Sequence, residues 1–293
     1  MHKVFIILIF LAGSCSDDKV HEGYSEVPIF ENDENFIGLV NREVSIIRIG
    51  STTAYNKTGQ IVISRPEQSN EGDLLVLFLH RTDRDLPLKL RGWNRVAECF
   101  KSDNRHQCST ELDCVEWHDE NKRFCASFDI YDQQGDSIGT GNGHDLAQAV
   151  FIRRVEADEE PEYVFDLNYL AKKRKAGCAI LTALRGADTE NSVNAWSHKG
   201  CDMSTKSEFP SVYGEEGDLV LLSQSFDDKE EREKFRPPLG TRRFGYVSGS
   251  DETAFLFGGR IYNSGETGSM YSRGKGASKC KDALISLTIK PSL

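Results

Sequence analysis

Gly72-Asp73-Leu74-Leu75-Val76-Leu77-Phe78-Leu79 returns later in the chain as Gly217-Asp218-Leu219-Val220-Leu221-Leu222-Ser223-Gln224. The two aspartates stand 145 positions apart (218 − 73 = 145). A repeat at that distance implies a duplicated folding unit, so it speaks to architecture before chemistry. The echo continues downstream. Pro87 and Gly92-Trp93 follow the first copy, and Pro237-Pro238 and Gly245-Tyr246 follow the second. Ala147-Gln148-Ala149-Val150-Phe151-Ile152 is then matched by Thr253-Ala254-Phe255-Leu256-Phe257-Gly258. An acidic turn with an aromatic comes next in both: Glu160-Pro161-Glu162-Tyr163, and Gly265-Glu266-Thr267-Gly268 with Tyr271. Each half closes on an apolar run, Ala179–Leu184 and Ala283–Ile289.

These runs are short, apolar and separated by Gly, Pro, Asn and Asp, which favours strands over helices. The best helical candidate is the charged stretch Asp228–Phe235. The expected fold is all-β: a jelly-roll-like sandwich built from two similar halves, either one large sandwich or two adjacent ones. The expected organisation is a signal peptide at 1–14, an acidic tether at 15–36, a first β half at 37–190 and a second at 191–293. The first half carries a polar, Cys- and Gly-rich insertion at 99–144 that the second half lacks. Insertions between core strands commonly carry binding function.

At the N-terminus, Lys3 precedes the apolar run Val4–Ala12, which is too short to span a bilayer comfortably. The run ends in Leu11-Ala12-Gly13-Ser14-Cys15, which resembles a bacterial lipobox and makes Cys15 the candidate lipidation site. The expectation is export, with anchoring at the outer membrane or cell surface. The alternative is a periplasmic or secreted protein. The stretch Ser16–Glu34 is acidic and polar, as suits a tether.

The formal charge is −10, and removing residues 1–14 takes away only Lys3. So acidic a chain has no field that draws phosphate backbones, which argues against a nucleic-acid partner. The basic stretch Lys172-Lys173-Arg174-Lys175 reads as a solvated hairpin turn.

Eight cysteines are present. With Cys15 lipidated, at least one of the remaining seven is unpaired. Cys178, inside the apolar strand Gly177–Leu181, is the candidate for burial as a small hydrophobe. The other six suit disulfides in an exported protein. The proposed pairs are Cys99–Cys125 and Cys108–Cys114 in the insertion, and Cys201–Cys280 in the second half. Cys108, Cys114, His118 and Cys125 are zinc-compatible ligand types, but their irregular spacing disfavours that metal. Asp129, Asp132 and Asp136 could coordinate calcium together with loop carbonyls, but they lack the D-x-D-x-D-G pattern of a calcium loop. No cofactor is expected.

Gly135-Asp136-Ser137-Ile138-Gly139 formally matches the nucleophile elbow of hydrolases, and His144 and Asp145 follow it. The elbow needs a strand before the serine and a helix after it, and Thr140-Gly141-Asn142-Gly143 is a poor helix start. The acidic pairs Asp227-Asp228 and Asp251-Glu252 read as turn residues. Trp93 sits at a repeated position and suits core packing. Trp117, in the polar insertion, is the preferred ligand contact, together with His118, Asp119 and His144.

The order GDLLVLFL, P-x4-GW, EPEYVFDL and AILTALRGAD, running from Gly72 to Asp188, resembles a family of proteins common in phage and marine bacterial genomes, often near tail or adhesion genes. The resemblance implies a β-sandwich and surface attachment, and it carries no active-site residue. The expected function is therefore a non-enzymatic, surface-anchored binding or adhesion module whose partner is a surface glycan or protein. A structural or receptor-binding part of a phage tail or surface assembly is one alternative, and a secreted hydrolase another.

Overall fold

The computed structural model describes residues 45–82, 90–102, 105–108, 114–117, 125–131, 137–141, 146–167, 176–200, 206–226, 232, 235–250, 252–274 and 282–292. Side chains are described for fewer, and those of residues 97–147 are not among them.

Five strands of the first half form one large sheet. They are β1 (Ile47–Asn56), β3 (Leu74–Thr82), β4 (Asn94–Ser102), β9 (Leu146–Arg154) and β11 (Gly177–Arg185). With the short β5 (Arg105–Cys108) the order is β1-β11-β3-β9-β4-β5. A two-stranded sheet of β2 (Gln60–Ser64) and β10 (Glu162–Asp166) covers its outer face. A separate three-stranded sheet holds β6 (Cys114–Trp117), β7 (Cys125–Tyr131) and β8 (Ser137–Gly141).

The second half repeats this plan. Its large sheet runs β12-β21-β15-β18-β17, from β12 (Val193–Gly200), β15 (Leu219–Phe226), β17 (Arg242–Ser248), β18 (Thr253–Arg260) and β21 (Asp282–Ile289). Its outer cover is β13 (Lys206–Phe209), β16 (Phe235–Arg236) and β20 (Met270–Gly274), with the short pair β14 (Tyr213–Gly214) and β19 (Gly265–Glu266). Strand for strand, β1-β11-β3-β9-β4 equals β12-β21-β15-β18-β17. The chain alternates between large and small sheets, which makes each half jelly-roll-like.

The equivalence reaches single residues. Gly72 and Gly217 both take a left-handed turn, with φ of 84° and 98°. Asn70 N–H donates to Asp73 Oδ2 at 2.8 Å, and Glu215 N–H to Asp218 Oδ2 at 2.9 Å. β1 and β12 carry bulges at matching places, between Arg48 and Gly50 and between Val193 and Ala195. β4 and β17 do too, between Arg95 and Ala97 and between Arg243 and Gly245. The ladders also correct one sequence pairing. Gly245 is the counterpart of Ala97, because both follow the bulge. The counterpart of Gly92 is Gly240, and both have φ of 75°. The two glycines sit in the same turn, where Trp93 N–H donates to Leu90 O and Thr241 N–H to Pro238 O.

The two large sheets stack face to face. Leu74, Val76, Phe78, Val150, Ile180 and Leu184 from the first meet Leu221, Phe244, Leu256, Ile285, Leu287 and Ile289 from the second. β1 lies against β17 and β12 against β4, so an approximate two-fold axis runs along the strands, as in a dimer fused into one chain. The outer faces have their own cores. One holds Ile61, Ile63, Leu75, Leu77, Phe151, Tyr163 and Phe165, and the other Phe209, Leu222, Phe226, Phe235, Phe255 and Phe257. The layering explains the sequence pattern. β11 and β15 are covered on both faces and read as continuous apolar or small runs. β2 and β10 are covered on one face and alternate exposed and buried. Trp93 is core, with edge-to-face contacts to Tyr163 (5.3 Å) and Phe165 (5.8 Å). Of the helical candidate Asp228–Phe235, Phe235 begins a strand, and most of the rest lies outside the described residues.

Candidate functional site at one end of the stack

The two ends of the stacked sheets differ. At one end, the turn end, lie the connections 65–73, 155–161, 186–192, 215–218 and 261–264. Backbone hydrogen bonds tie this turn end together. Gly72 N–H donates to Val155 O and Gly217 N–H to Ile261 O, at 2.9 and 2.8 Å. Asp188 N–H donates to Lys290 O (2.9 Å) and Lys290 N–H to Ser192 O (2.8 Å), joining the inter-half linker to the C-terminal strand. The Arg154 guanidinium adds bonds to Gly72 O (2.9 Å), Ser192 Oγ (2.9 Å) and the Asp188 carbonyl. Asp73, almost fully buried, accepts two bonds from Arg185, at 2.9 and 2.8 Å.

At the opposite end β3, β4 and β15 finish, and β9, β11 and β21 begin. The connections 167–176, 201–205 and 275–281 leave from here or join here, and they are of the same size as those at the turn end. The largest difference is the connection from β4 to β9, residues 103–145. Its counterpart from β17 to β18 is the four-residue turn 249–252 (252 − 248 = 4). That turn is closed by Gly249 N–H donating to Glu252 O at 2.8 Å. Ser250 meets the Tyr55 hydroxyl at 2.8 Å, so both sheets present this end on the same side of the molecule.

Beneath this loop end the apolar inter-sheet core gives way to a polar layer. One transverse row of the first large sheet reads Tyr55, Cys178, His80, Gln148, Cys99 and Cys108, each opposite the next. From the second sheet Ser223, Ser225 and Glu252 are buried at the same level. Gln148 Nε2 donates to Ser223 Oγ, bridging the sheets. Burial and the neighbouring Glu252 carboxylate push the Cys178 thiol up, and the two side chains hydrogen-bond. A thiol held protonated is a poor nucleophile, so Cys178 behaves as a buried, inert cysteine. It is free, as the apolar strand around it implies. His80 is 1 % exposed, and neither ring nitrogen has a hydrogen-bond partner among the described residues. Burial lowers its pKa to about 3, so it is a neutral imidazole at ordinary pH.

The candidates read from sequence fall around this end. Trp117 ends β6, opposite Cys125 of β7. His118, Asp119 and His144 lie outside the described residues, as do Cys15, Cys201, Cys280 and the stretch 172–175. The backbone ladder sets Cys99 opposite Cys108 and Cys114 opposite Phe128. Asp132 and Asp136 lie outside the described residues, and Asp129 is within β7. Ser137 opens strand β8 with no helix after it, so the strand–serine–helix elbow is not formed. Among the described residues no three His, Cys, Asp or Glu side chains are grouped to hold a metal. Sequence reading missed His80 and Gln148, and Glu252, read as a turn acid, does lie in the 249–252 turn but is buried there. The available signal was polar residues inside apolar runs, in Leu79-His80-Arg81 and Ala147-Gln148-Ala149.

No family model matches the chain, and no curated protein does. Among solved structures, one similar chain is PBCV-1 VP54 fitted into a cryo-EM reconstruction of the virophage Sputnik. The likeness covers 87 % of each chain at 9 % identity, with a TM-score of 0.18, and carries no argument about fold or role.

Proposed function

We propose that this protein is a surface-anchored, non-enzymatic binding module that takes a surface glycan or protein at its loop end. The observation that carries the reading is the polarity of the stack. The chain enters β1 at the turn end, beside Leu74 and Arg154, while the 103–145 connection is carried at the opposite end. A tether attached before β1 would hold the turn end toward the membrane and direct the loop end outward. Binding loops raised on a rigid β scaffold are a recurrent solution to recognition. The lipobox-like Cys15 and the acidic segment after it supply the anchor and spacer in this reading.

The test uses full-length protein isolated from membranes. Intact mass is expected to report cleavage before Cys15 and an added lipid. The same material is then applied to arrays of surface glycans and surface proteins, beside a variant with Trp117, His118, Asp119 and His144 all changed to Ala. Binding by the parent and loss in the variant are expected. Binding that survives the loop-end changes, or substrate turnover with no retained ligand, would overturn the proposal.

A further inference from the structure

The polar layer at the loop end has a property that the binding proposal does not use. The inter-sheet core is apolar from the turn end up to Phe78 and Ile180, and then changes character. At the next position along β3 stands His80, between Cys178 on β11 and Gln148 on β9. The facing sheet offers Ser223 and Ser225 from β15 and Glu252 from the turn before β18. Among the described side chains, the titratable groups around the layer are Cys178, Glu252 and, from β1, Tyr55. Cys178 is hydrogen-bonded to Glu252, and Tyr55 to Ser250. His80 keeps both nitrogens without a partner among the described residues, and so do Gln148 Oε1 and Ser225 Oγ. An imidazolium at His80 would be a buried charge between two sheets with no group bonded to it.

We propose that the loop end of the sandwich is an acid-triggered latch, in which protonation of His80 parts the two large sheets at the polar layer while the turn end stays closed. The hinge is the turn end itself. It is joined by Arg154 to Ser192 and by the backbone bonds between 186–192 and 290–292, with the Asp73–Arg185 pair bracing the first half beside it, and none of these contains a histidine. The latch end is held across the sheets by Gln148–Ser223, Cys178–Glu252 and Tyr55–Ser250. The sign follows from linkage. The closed state keeps His80 at about 3 against an ordinary 6.5, so an opened state takes up a proton that the closed state refuses. Closure is at full strength above the ordinary value and weakens as pH falls from 6.5 toward 3.

Cys178 supplies the readout, because it is free and fully buried in the same layer. Full-length protein is pulsed with 4,4′-dithiodipyridine, which reacts with thiols in acid. Modification at Cys178 is mapped by peptide mass spectrometry at pH 7.5 and 5.0. The expected result is about a 30-fold rise in the opening equilibrium at pH 5.0. Hydrogen exchange should rise near Cys178 and His80, with protection kept at Leu74, Leu184 and Ile289. His80→Ser installs the residue that the second half uses at the equivalent position, Ser225, and its labelling should be flat with pH. Should that variant fail to fold, the wild-type His80 ring is titrated by NMR. A midpoint below 5 supports the latch, and a midpoint near 6.5 overturns it. Labelling that does not change with pH, or loss of protection at both ends together, also overturns it.

Discussion

His80 and Arg81 end strand β3 as a buried imidazole and a buried guanidinium; Ser225 and Phe226 end the equivalent strand β15 as a hydroxyl and a phenyl ring. The same contrast runs across the neighbouring strands. Gln148 stands where the second half has Ala254, and Cys178 where it has Ala283. At the other end the halves agree. Gly72-Asp73 and Gly217-Asp218 make the same turn, with the same backbone bond from the glycine to the residue just past the neighbouring strand, Val155 after β9 and Ile261 after β18. Duplication preserved the turns that set register and let the loop end diverge. The physical reason is that a slipped register turns every side chain to the wrong face, whereas a change beyond the last core layer disturbs only local packing. The two-fold stack of the sheets is thus near-symmetric in its backbone and asymmetric in its polar layer.

Four substitutions break or sharpen that comparison. The largest effect is expected for Ser225→His, which would place a second imidazole in the polar layer opposite the first. Overpacking and an unpaired buried polar ring should cost about 3 kcal/mol or more, read as a lowered midpoint in urea unfolding. Full stability in this variant would mean that the layer holds more free space than its packing implies. Next is Gly245→Ala. The first half already carries Ala97 at this place, but a Cβ on Gly245 would lie 2.5 Å from Ile180 Cγ2 on the facing sheet. A loss of about 1–3 kcal/mol is expected, with lost packing at β11 visible as faster amide exchange in 178–182. No loss would show that the sheets can move apart there freely.

The smallest effect compares the two turn aspartates. Asp73 is bonded by Arg185, whereas Asp218 meets the neutral amide of Asn194 at 2.8 Å. Burial raises the Asp218 carboxyl above its usual range, although the Glu215 N–H and the Asn194 amide oppose the rise. A raised folded-state value means that the ionised Asp218 subtracts stability once pH rises past the ordinary carboxylate range. Asp218→Asn should therefore be close to neutral at pH 7, within about 0.5 kcal/mol. Asp73→Asn should cost about 1–2 kcal/mol, because it breaks charge-assisted hydrogen bonds. Equal losses in thermal or urea unfolding would remove the distinction between the two turns.

Much of the scaffold was legible from particular residues. The two Gly-Asp-Leu copies located β3 and β15, and the apolar runs Ala179–Leu184 and Leu284–Ile289 located their neighbours β11 and β21. Trp93 in the core was read from its repeated position, and Cys178 as a buried free thiol from the apolar strand around it. The pairing of Gly92 with Gly245 failed because a glycine followed by an aromatic occurs at two different places: the matched bulges set Gly245 against Ala97, and the shared turn sets Gly92 against Gly240. The polar layer was not legible for a different reason. His80, Gln148, Cys178 and Glu252 are scattered along the chain, and the first three meet only because the ladders place them in one row.

By itself, the sequence determined the duplication, the all-β class and the strands, because local patterning and glycine turns act over a few residues. Only the tertiary structure decided that the halves stack by their large sheets. It alone set the Gly-Asp turns and the 103–145 connection at opposite ends and drew an imidazole, a thiol and a carboxylate into one buried layer. Those outcomes depend on register and on which face each sheet covers, and both are set by residues far apart in the chain.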